Sequence, residues 1–212
     1  MSTPNRPPSS KTAAQAGQPH HPNEPGTNLR KVIAGLFISL DGVTESPEKW
    51  QFDHFDADMM ATMGAHIATE DTVLLGRVTY QEWAAYWPTS HDEPYASHIN
   101  NTPKFVVSTT LDKVEWGKWN NVTLIKGNLA EELVRLKRQP GSNIGIAGSP
   151  TLVRSLLQDD LHDELTLMVH PVVVGRGRRL FKDGSDLKRL QLVHSKATRT
   201  GVMILTYHRR NG

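Results

Sequence analysis

IGIAGSPTLVRSLL, residues 144–157, decides the reading of this chain. An apolar, β-like run stops at Gly148 and Ser149, and Pro150 opens a stretch with helical spacing. Ser149 suits an N-cap and Pro150 the first helical position. A helix that begins directly after a buried strand aims its free N–H groups and positive dipole end off the sheet's C-terminal edge. An anion binds well there. Gly148 lets a phosphate approach the backbone with no Cβ in the way, whereas Pro150 removes one donor. Two readings stay open: a plain capped helix after a tight turn, or a seat for the phosphates of a dinucleotide.

A second stretch, VLLGRVTYQEW at 73–83, repeats the order strand, glycine, helix. Arg77 brings a fork-shaped cation to the helix start, where the dipole disfavours it unless an anion is present, and Thr79 brings a hydroxyl. A third strand ends in Ser108-Thr109-Thr110. Glycine, arginine and hydroxyls at three strand ends fit a dinucleotide carrying an extra phosphate. The GxGxxG fingerprint is absent, and GRGRR at 175–179 follows a strand without opening a helix.

Around these turns the hydrophobic pattern alternates. Val32–Ile38 reads as a strand buried on both faces. Asp56 caps a helix with an inner stripe of Met60, Met63 and Ile67. Strands are expected at Thr72–Leu75, Lys104–Thr109, Val122–Lys126, Asn143–Ala147 and Leu165–Val174. A helix with Tyr80, Trp83 and Trp87 on one face closes at Pro88. Another, capped by Asn128, turns Leu129, Leu133 and Leu136 inward. Leu190–Lys196 and Val202–His208 form a closing hairpin around Gly201. This order predicts an α/β fold with a mixed, mainly parallel sheet flanked by helices and a C-terminal antiparallel hairpin.

Composition sets the limits. Residues 1–28 hold six of the thirteen prolines and no Val, Ile, Leu, Phe, Trp or Tyr, so a disordered tail is expected before a single domain at 29–212. The tail has no apolar signal-peptide core, and no window reaches the about 18 apolar residues of a membrane span. A net charge of +2 gives no case for nucleic acid. The absence of cysteine excludes disulfides and thiolate metal sites and fits a reducing, cytoplasmic setting. The histidines show no HExxH spacing and GSPTL is not a G-x-S-x-G elbow, so neither a metal centre nor a serine hydrolase is expected.

VIAGLFISLDG, VLLGRVTYQEW, FVVST, IGIAGSPTLVRSLL and DELTLMVHPVVVGRGRRLF, in that order, resemble the dihydrofolate-reductase-like superfamily. The nearest branch is the C-terminal reductase domain of the bifunctional riboflavin-biosynthesis deaminase–reductase and its stand-alone bacterial relatives. The resemblance covers about residues 30–209. Without cysteine, the deaminase half's zinc signature cannot exist in this chain.

The resemblance implies an NADPH-binding domain and a homodimer. Gly76, Arg77 and Thr79 match the first cofactor turn, and Arg77 with Ser108 and Thr109 would lie near the 2′-phosphate and adenosine. Ala147, Gly148, Ser149, Thr151 and Leu152 match the turn under the pyrophosphate and nicotinamide ribose. Ala34 and Gly35 match positions beside the nicotinamide. Hydride transfer needs a flat acceptor and a nearby proton. Asp41, leaving the first strand, and Asp58, in the first turn of the next helix, are the candidate catalytic carboxylates. Trp50, Phe52 and Phe55 are the candidate substrate-stacking rings. For each, a turn, a helix dipole or a core role is the competing reading. The implied activity is reduction of a small pyrimidine- or pterin-type substrate, as in 5-amino-6-(5-phosphoribosylamino)uracil reductase. Dihydrofolate reductase proper and a non-catalytic dinucleotide-binding module are the alternatives. Strands 165–174 and 202–207 are the expected subunit contacts.

Overall fold

Val32, Ala34, Leu36 and Ile38 turn to one side of the first strand and Phe37 to the other, and both sides are covered. This strand, β1 (Val32–Ser39), is the fifth of eight in one sheet. The computed structural model describes residues 29–210, so the expectation of a disordered 1–28 tail lies outside the described residues.

The remaining elements follow in chain order. They are α1 (Ala57–Ile67), β2 (Glu70–Gly76), α2 (Arg77–Tyr86), α3 (Tyr95–Asn101), β3 (Lys104–Val107) and β4 (Val122–Ile125). After these come α4 (Leu129–Lys137), β5 (Asn143–Ala147), α5 (Pro150–Gln158), β6 (Glu164–His170), β7 (Leu190–Ala197) and β8 (Met203–Arg209). The strand order is β4-β3-β2-β5-β1-β6-β8-β7. The first six are mutually parallel, and β8 runs antiparallel to both β6 and β7. This is the α/β architecture with a terminal hairpin that the alternation implies.

Three apolar layers hold it. The even residues of β1 pack with Leu133 and Leu136 of α4 and Leu152, Val153 and Leu156 of α5. On the other face Met59 of α1 sits on Met168, Val202 and Ile204, with Phe37, Phe55 and Met63 around it. Val73, Leu75 and Val106 lie under Tyr80, Ile99 and Trp116. Burial of this kind stabilises by roughly 25 cal/mol per Å² of apolar surface.

Four local expectations need correction. The inner stripe of α1 starts at Met59, fully buried, and not at Met60, which is 53% exposed. Adjacent methionines fit a helical period equally well, and the Asp56 cap, accepting the Met59 N–H at 3.0 Å, sets the phase. Strand β6 stops at His170, because Pro171 has no N–H to continue a ladder. Helix α3 escaped notice, since YASHINN is short and polar and buries only Ala96, Ile99 and Asn100. The strands over 165–174 and 202–207 offer no free edge to another subunit. β6 lies between β1 and β8, and β8 between β6 and β7.

Lys104, first residue of β3, is 1% exposed. Its ammonium donates to the carbonyls of Asn100 (3.1 Å) and Thr102 (2.6 Å) and to Asn121 Oδ1 (3.2 Å), and lies 4.6 Å from the Trp116 ring centre. It thereby closes the C-terminal end of α3.

Candidate active site

Strands β2 and β5 are neighbours and parallel, so their strand-to-helix turns meet at one edge of the sheet. The Gly76 N–H donates to Ser149 Oγ at 2.7 Å. Ser149 in turn donates to Thr79 Oγ1, from its N–H at 3.0 Å and from its hydroxyl at 2.8 Å. A Cβ on Gly76 would come within 2.9 Å of Ser149 Oγ, so glycine is what admits the serine. Gly148, at φ 54°, leaves room for Thr79, whose Cγ2 would lie 3.1 Å from an added Cβ. The space expected to admit a phosphate is filled by a threonine.

Ser149 stands at the N-cap position of α5 in a left-handed conformation, and its side chain makes no cap bond. This corrects the expectation that it caps. Its hydroxyl is committed to the tie between the turns. The first intrahelical bond is Val153 N–H to Ser149 C=O at 3.0 Å, and Pro150 has no N–H. The free donors of that turn therefore belong to Thr151 and Leu152. An uncapped helix start aimed off a sheet edge is a good anion seat.

Arg77 opens α2, whose N-cap Gly76 provides no side chain. Its guanidinium is exposed and donates to Gln81 Oε1 at 3.1 Å. Ser108 is buried, with its hydroxyl accepting the N–H groups of Thr110 and Leu111 at 3.2 Å each, while Thr109 is exposed. Gly35 pairs with Ala147 in the β1–β5 register, and Ala34 with Ile146. The residues expected to hold the cofactor thus lie on four neighbouring strands, β3, β2, β5 and β1, or just past the ends of the first three.

Two titratable groups that the sequence reading missed share this region. The imidazole of His66 covers Gly35, with Nε2 at 3.4 Å from where a Cβ would stand. The spacing 59, 63, 66 on α1 was the available signal, once Met59 is taken as the buried position. Glu70 lies over Gly145, where a Cβ would meet its carboxylate at 1.5 Å, and its Oε1 is 3.1 Å from His98 Nε2. Glycine at 145 is required by that carboxylate.

The two candidate acids are placed differently. Asp41 accepts from Ser39 Oγ (2.7 Å), Val174 N–H (3.0 Å) and Gly175 N–H (2.9 Å), with Arg179 at 3.4 Å. The Ser39 hydroxyl and these backbone donors bring its pKa down to about 2. It is an ionised tie between the β1 exit and the 171–180 loop. Asp58 pairs with Lys196 of β7 at 2.8 Å, which turns it toward the far edge of the sheet.

Among the aromatics, Trp50 packs edge-on against His170 at 5.3 Å, and Phe55 against Phe37 at 6.4 Å. Phe52 is 63% exposed, leaving its ring open. Beneath them His170 is fully buried, with neither ring nitrogen hydrogen-bonded among the described residues. Burial, and then the neighbouring His54, push its pKa down to about 4.

The model of the RibD C-terminal domain family matches residues 30–204. The chain belongs to the RibD C-terminal domain family. It is 30% identical over 184 residues to the uncharacterized protein YyaP of Bacillus subtilis (strain 168), covering 84% of this chain and 95% of that protein. A provisionally named riboflavin biosynthesis protein from Shewanella sp. PV-4 superposes with a TM-score of 0.71 at 24% identity, over 85% of this chain and 99% of the other. Dihydrofolate reductase from Enterococcus faecalis, complexed with NADP(H), superposes with a TM-score of 0.56 at 16% identity, over 85% and 97%. The last two likenesses speak to the fold, which is dihydrofolate-reductase-like. The turns of this RibD C-terminal domain are thus held by side chains whose partners lie about a third of the chain away.

Proposed function

We propose that this protein is an NADPH-dependent reductase of a small pyrimidine- or pterin-type substrate, similar to 5-amino-6-(5-phosphoribosylamino)uracil reductase. The observation that carries the reading is the Gly76–Ser149–Thr79 tie. It sets the uncapped first turn of α5 beside the start of α2, where Arg77 stands. Membership of the RibD C-terminal domain family supports the same reading.

In this reading the Thr151 and Leu152 N–H groups meet the pyrophosphate, and Arg77 with Thr109 meets the 2′-phosphate. Thr79, Ser108 and Ser149 shape the turns from within, each with its hydroxyl already engaged. Ala34, Gly35 and Ala147 floor the nicotinamide position, with Gly76 and Gly148 giving the turns their close approach. NADPH supplies a hydride to a carbonyl or imine carbon of the substrate. Phe52 offers a ring face for stacking, with Trp50 and Phe55 backing the loop. Asp41 holds that loop in its ionised form. His66, over Gly35, is the group we place to deliver the proton. Asp58, engaged by Lys196, is not free to anchor a pterin, which disfavours dihydrofolate reductase proper.

The protein in this reading is cytoplasmic and homodimeric. Among the described residues the sheet ends in β4 and β7, and in this reading the pairing edge is β7, where Leu192 and Val193 are 49% and 44% exposed. No helix among the described residues is long and apolar enough to cross a membrane. Light scattering at micromolar concentration tests the dimer, and a monomer refutes it.

Thermal denaturation with NADPH and NADH in parallel tests the cofactor. A ligand at a hundred times its dissociation constant stabilises by about 2.7 kcal/mol. NADPH should stabilise well beyond NADH, and Arg77→Ala should remove the difference. No shift with either at millimolar concentration overturns the reading.

A further inference from the structure

Residues 46–53 form a segment bonded only to itself. Among the described residues, every hydrogen bond they make ends within 45–55. The Lys49, Trp50 and Gln51 N–H groups donate to the Ser46 and Pro47 carbonyls, and the Trp50 indole donates to the Glu45 carbonyl at 3.2 Å. Attachment to the rest of the fold begins on either side. Glu45 accepts from the Arg178 N–H and guanidinium at 2.9 Å each, and Thr200 Oγ1 donates to the His54 carbonyl at 2.8 Å. Ser46, at φ 49°, enters the segment in the left-handed region, which serine adopts at a cost.

Ring contacts on His170 hold the segment down. Trp50 meets that imidazole at 5.3 Å and His54 at 6.1 Å, with Phe37 of β1 at 5.7 Å. Among the described residues, His170 Nδ1 and Nε2, His54 Nδ1 and Gln51 Oε1 are all buried without a hydrogen-bond partner. Buried polar atoms are normally paired. Four such atoms, on the segment and on the ring beneath it, regain partners in water when the two separate.

No anion is placed to hold an imidazolium at 170. On the segment the titratable neighbour is His54, while Glu48, Lys49 and Asp53 are exposed. Beside β1, Asp41 is engaged by Ser39, Val174, Gly175 and Arg179. At the start of α1, Asp56 is engaged by Met59 and Thr200. Arg199, in the turn after β7, is exposed. Burial, and then His54, accordingly bring the His170 pKa down to about 4 from the ordinary 6.5.

We propose that neutral His170 latches residues 46–53 to the sheet and that its protonation releases them, uncovering the sheet face two residues along β1 from Gly35. The ring takes its proton more readily with the segment lifted, so opening grows as the pH falls from 6.5 and levels off below 4. The latch does not rest on the reductase reading, since the two forms differ in proton uptake whatever the chain binds.

The chain has no cysteine, so Gln51→Cys gives it a single thiol at a buried position. Its reaction with 4,4′-dithiodipyridine, which traps thiols in acid and at neutral pH, is measured relative to glutathione at each pH. The expected relative rate rises about twentyfold from pH 7 to pH 5 and stays flat after His170→Phe. Val153→Cys, made separately, places a thiol in the core under α5 and should show no rise. Thermal denaturation at pH 7 checks that each variant folds. A flat rate in Gln51→Cys, a rise that persists with His170→Phe, or an equal rise in Val153→Cys overturns the latch. The unsubstituted chain gives a second readout, the Trp50 indole N–H in nuclear magnetic resonance, identified by its loss in Trp50→Phe. Its exchange with water should quicken over the same pH range beyond the intrinsic rate, and an unchanged protection also overturns the latch.

Discussion

Ser149 Oγ accepts the Gly76 N–H at 2.7 Å, joining two turns that lie 73 residues apart in the chain. The bond is part-buried, and the same oxygen reaches Thr79. Ser149→Ala removes both contacts and leaves the Gly76 N–H without its acceptor. A loss of about 1–3 kcal/mol in unfolding free energy is expected by urea titration. The NADPH-induced shift in melting temperature should shrink with it, since the α5 donors lose their fixed position. Full stability in Ser149→Ala would show that the tie carries no load.

Asp41 gives a pH-dependent prediction. Its folded pKa of about 2 lies below the ordinary 3.8, so its stabilising effect is present above 3.8 and lost as pH falls through 2. Asp41→Asn should melt at a lower temperature than the parent at pH 7, with the gap narrowing as the pH falls from 4 toward 2. Proteolysis within 171–180 should also quicken, because Val174 and Gly175 lose a charged acceptor. A gap independent of pH would refute the tie.

His170 works in the opposite direction of charge. Its folded pKa of about 4 lies below the ordinary 6.5, so the unfolded chain binds the proton more readily between those values. Stability should fall as the pH drops from 6.5 to 4, by up to about 3 kcal/mol from this group. His170→Phe, which keeps an aromatic ring beside Trp50 and Phe37, should flatten that slope. An unchanged slope would move the acid sensitivity to another histidine.

Lys104 is buried with no carboxylate paired to it among the described residues, and burial pushes its pKa down to about 8. Lys104→Met keeps the length of the side chain but strands the three oxygens it serves. The expected cost is about 2–4 kcal/mol, read from chemical denaturation. A variant as stable as the parent would mean that removing the buried charge offsets the unpaired carbonyls.

Where local chemistry decides the structure, the sequence was readable. Asp56 and Asn128 cap α1 and α4 through the bonds their side chains suggest. The run Val32–Ile38 is a central strand because no polar residue interrupts it. The glycines at 76 and 148 mark turns at one sheet edge. Ser149 was misread because a serine before a proline-led helix looks like a cap, whereas its partners are brought in by strand pairing. The Glu70–Gly145 and His66–Gly35 contacts were hidden for the same reason. A glycine's missing Cβ says that something comes close, and only the fold says what. Asp58 looked free on its helix, since Lys196 lies far along the chain.

The sheet order has a consequence for assembly during synthesis. β1 and β2 follow each other in the chain but never touch, because β5 fills the lane between them. A growing chain that has not yet reached Asn143 therefore has both strands and no bridge. Every bond of the Gly76–Ser149–Thr79 tie must wait for β5 and the start of α5. Contacts so distant in sequence form slowly. The sheet edge that carries these turns is therefore a late product of folding, completed only once β5 slides into place between β1 and β2.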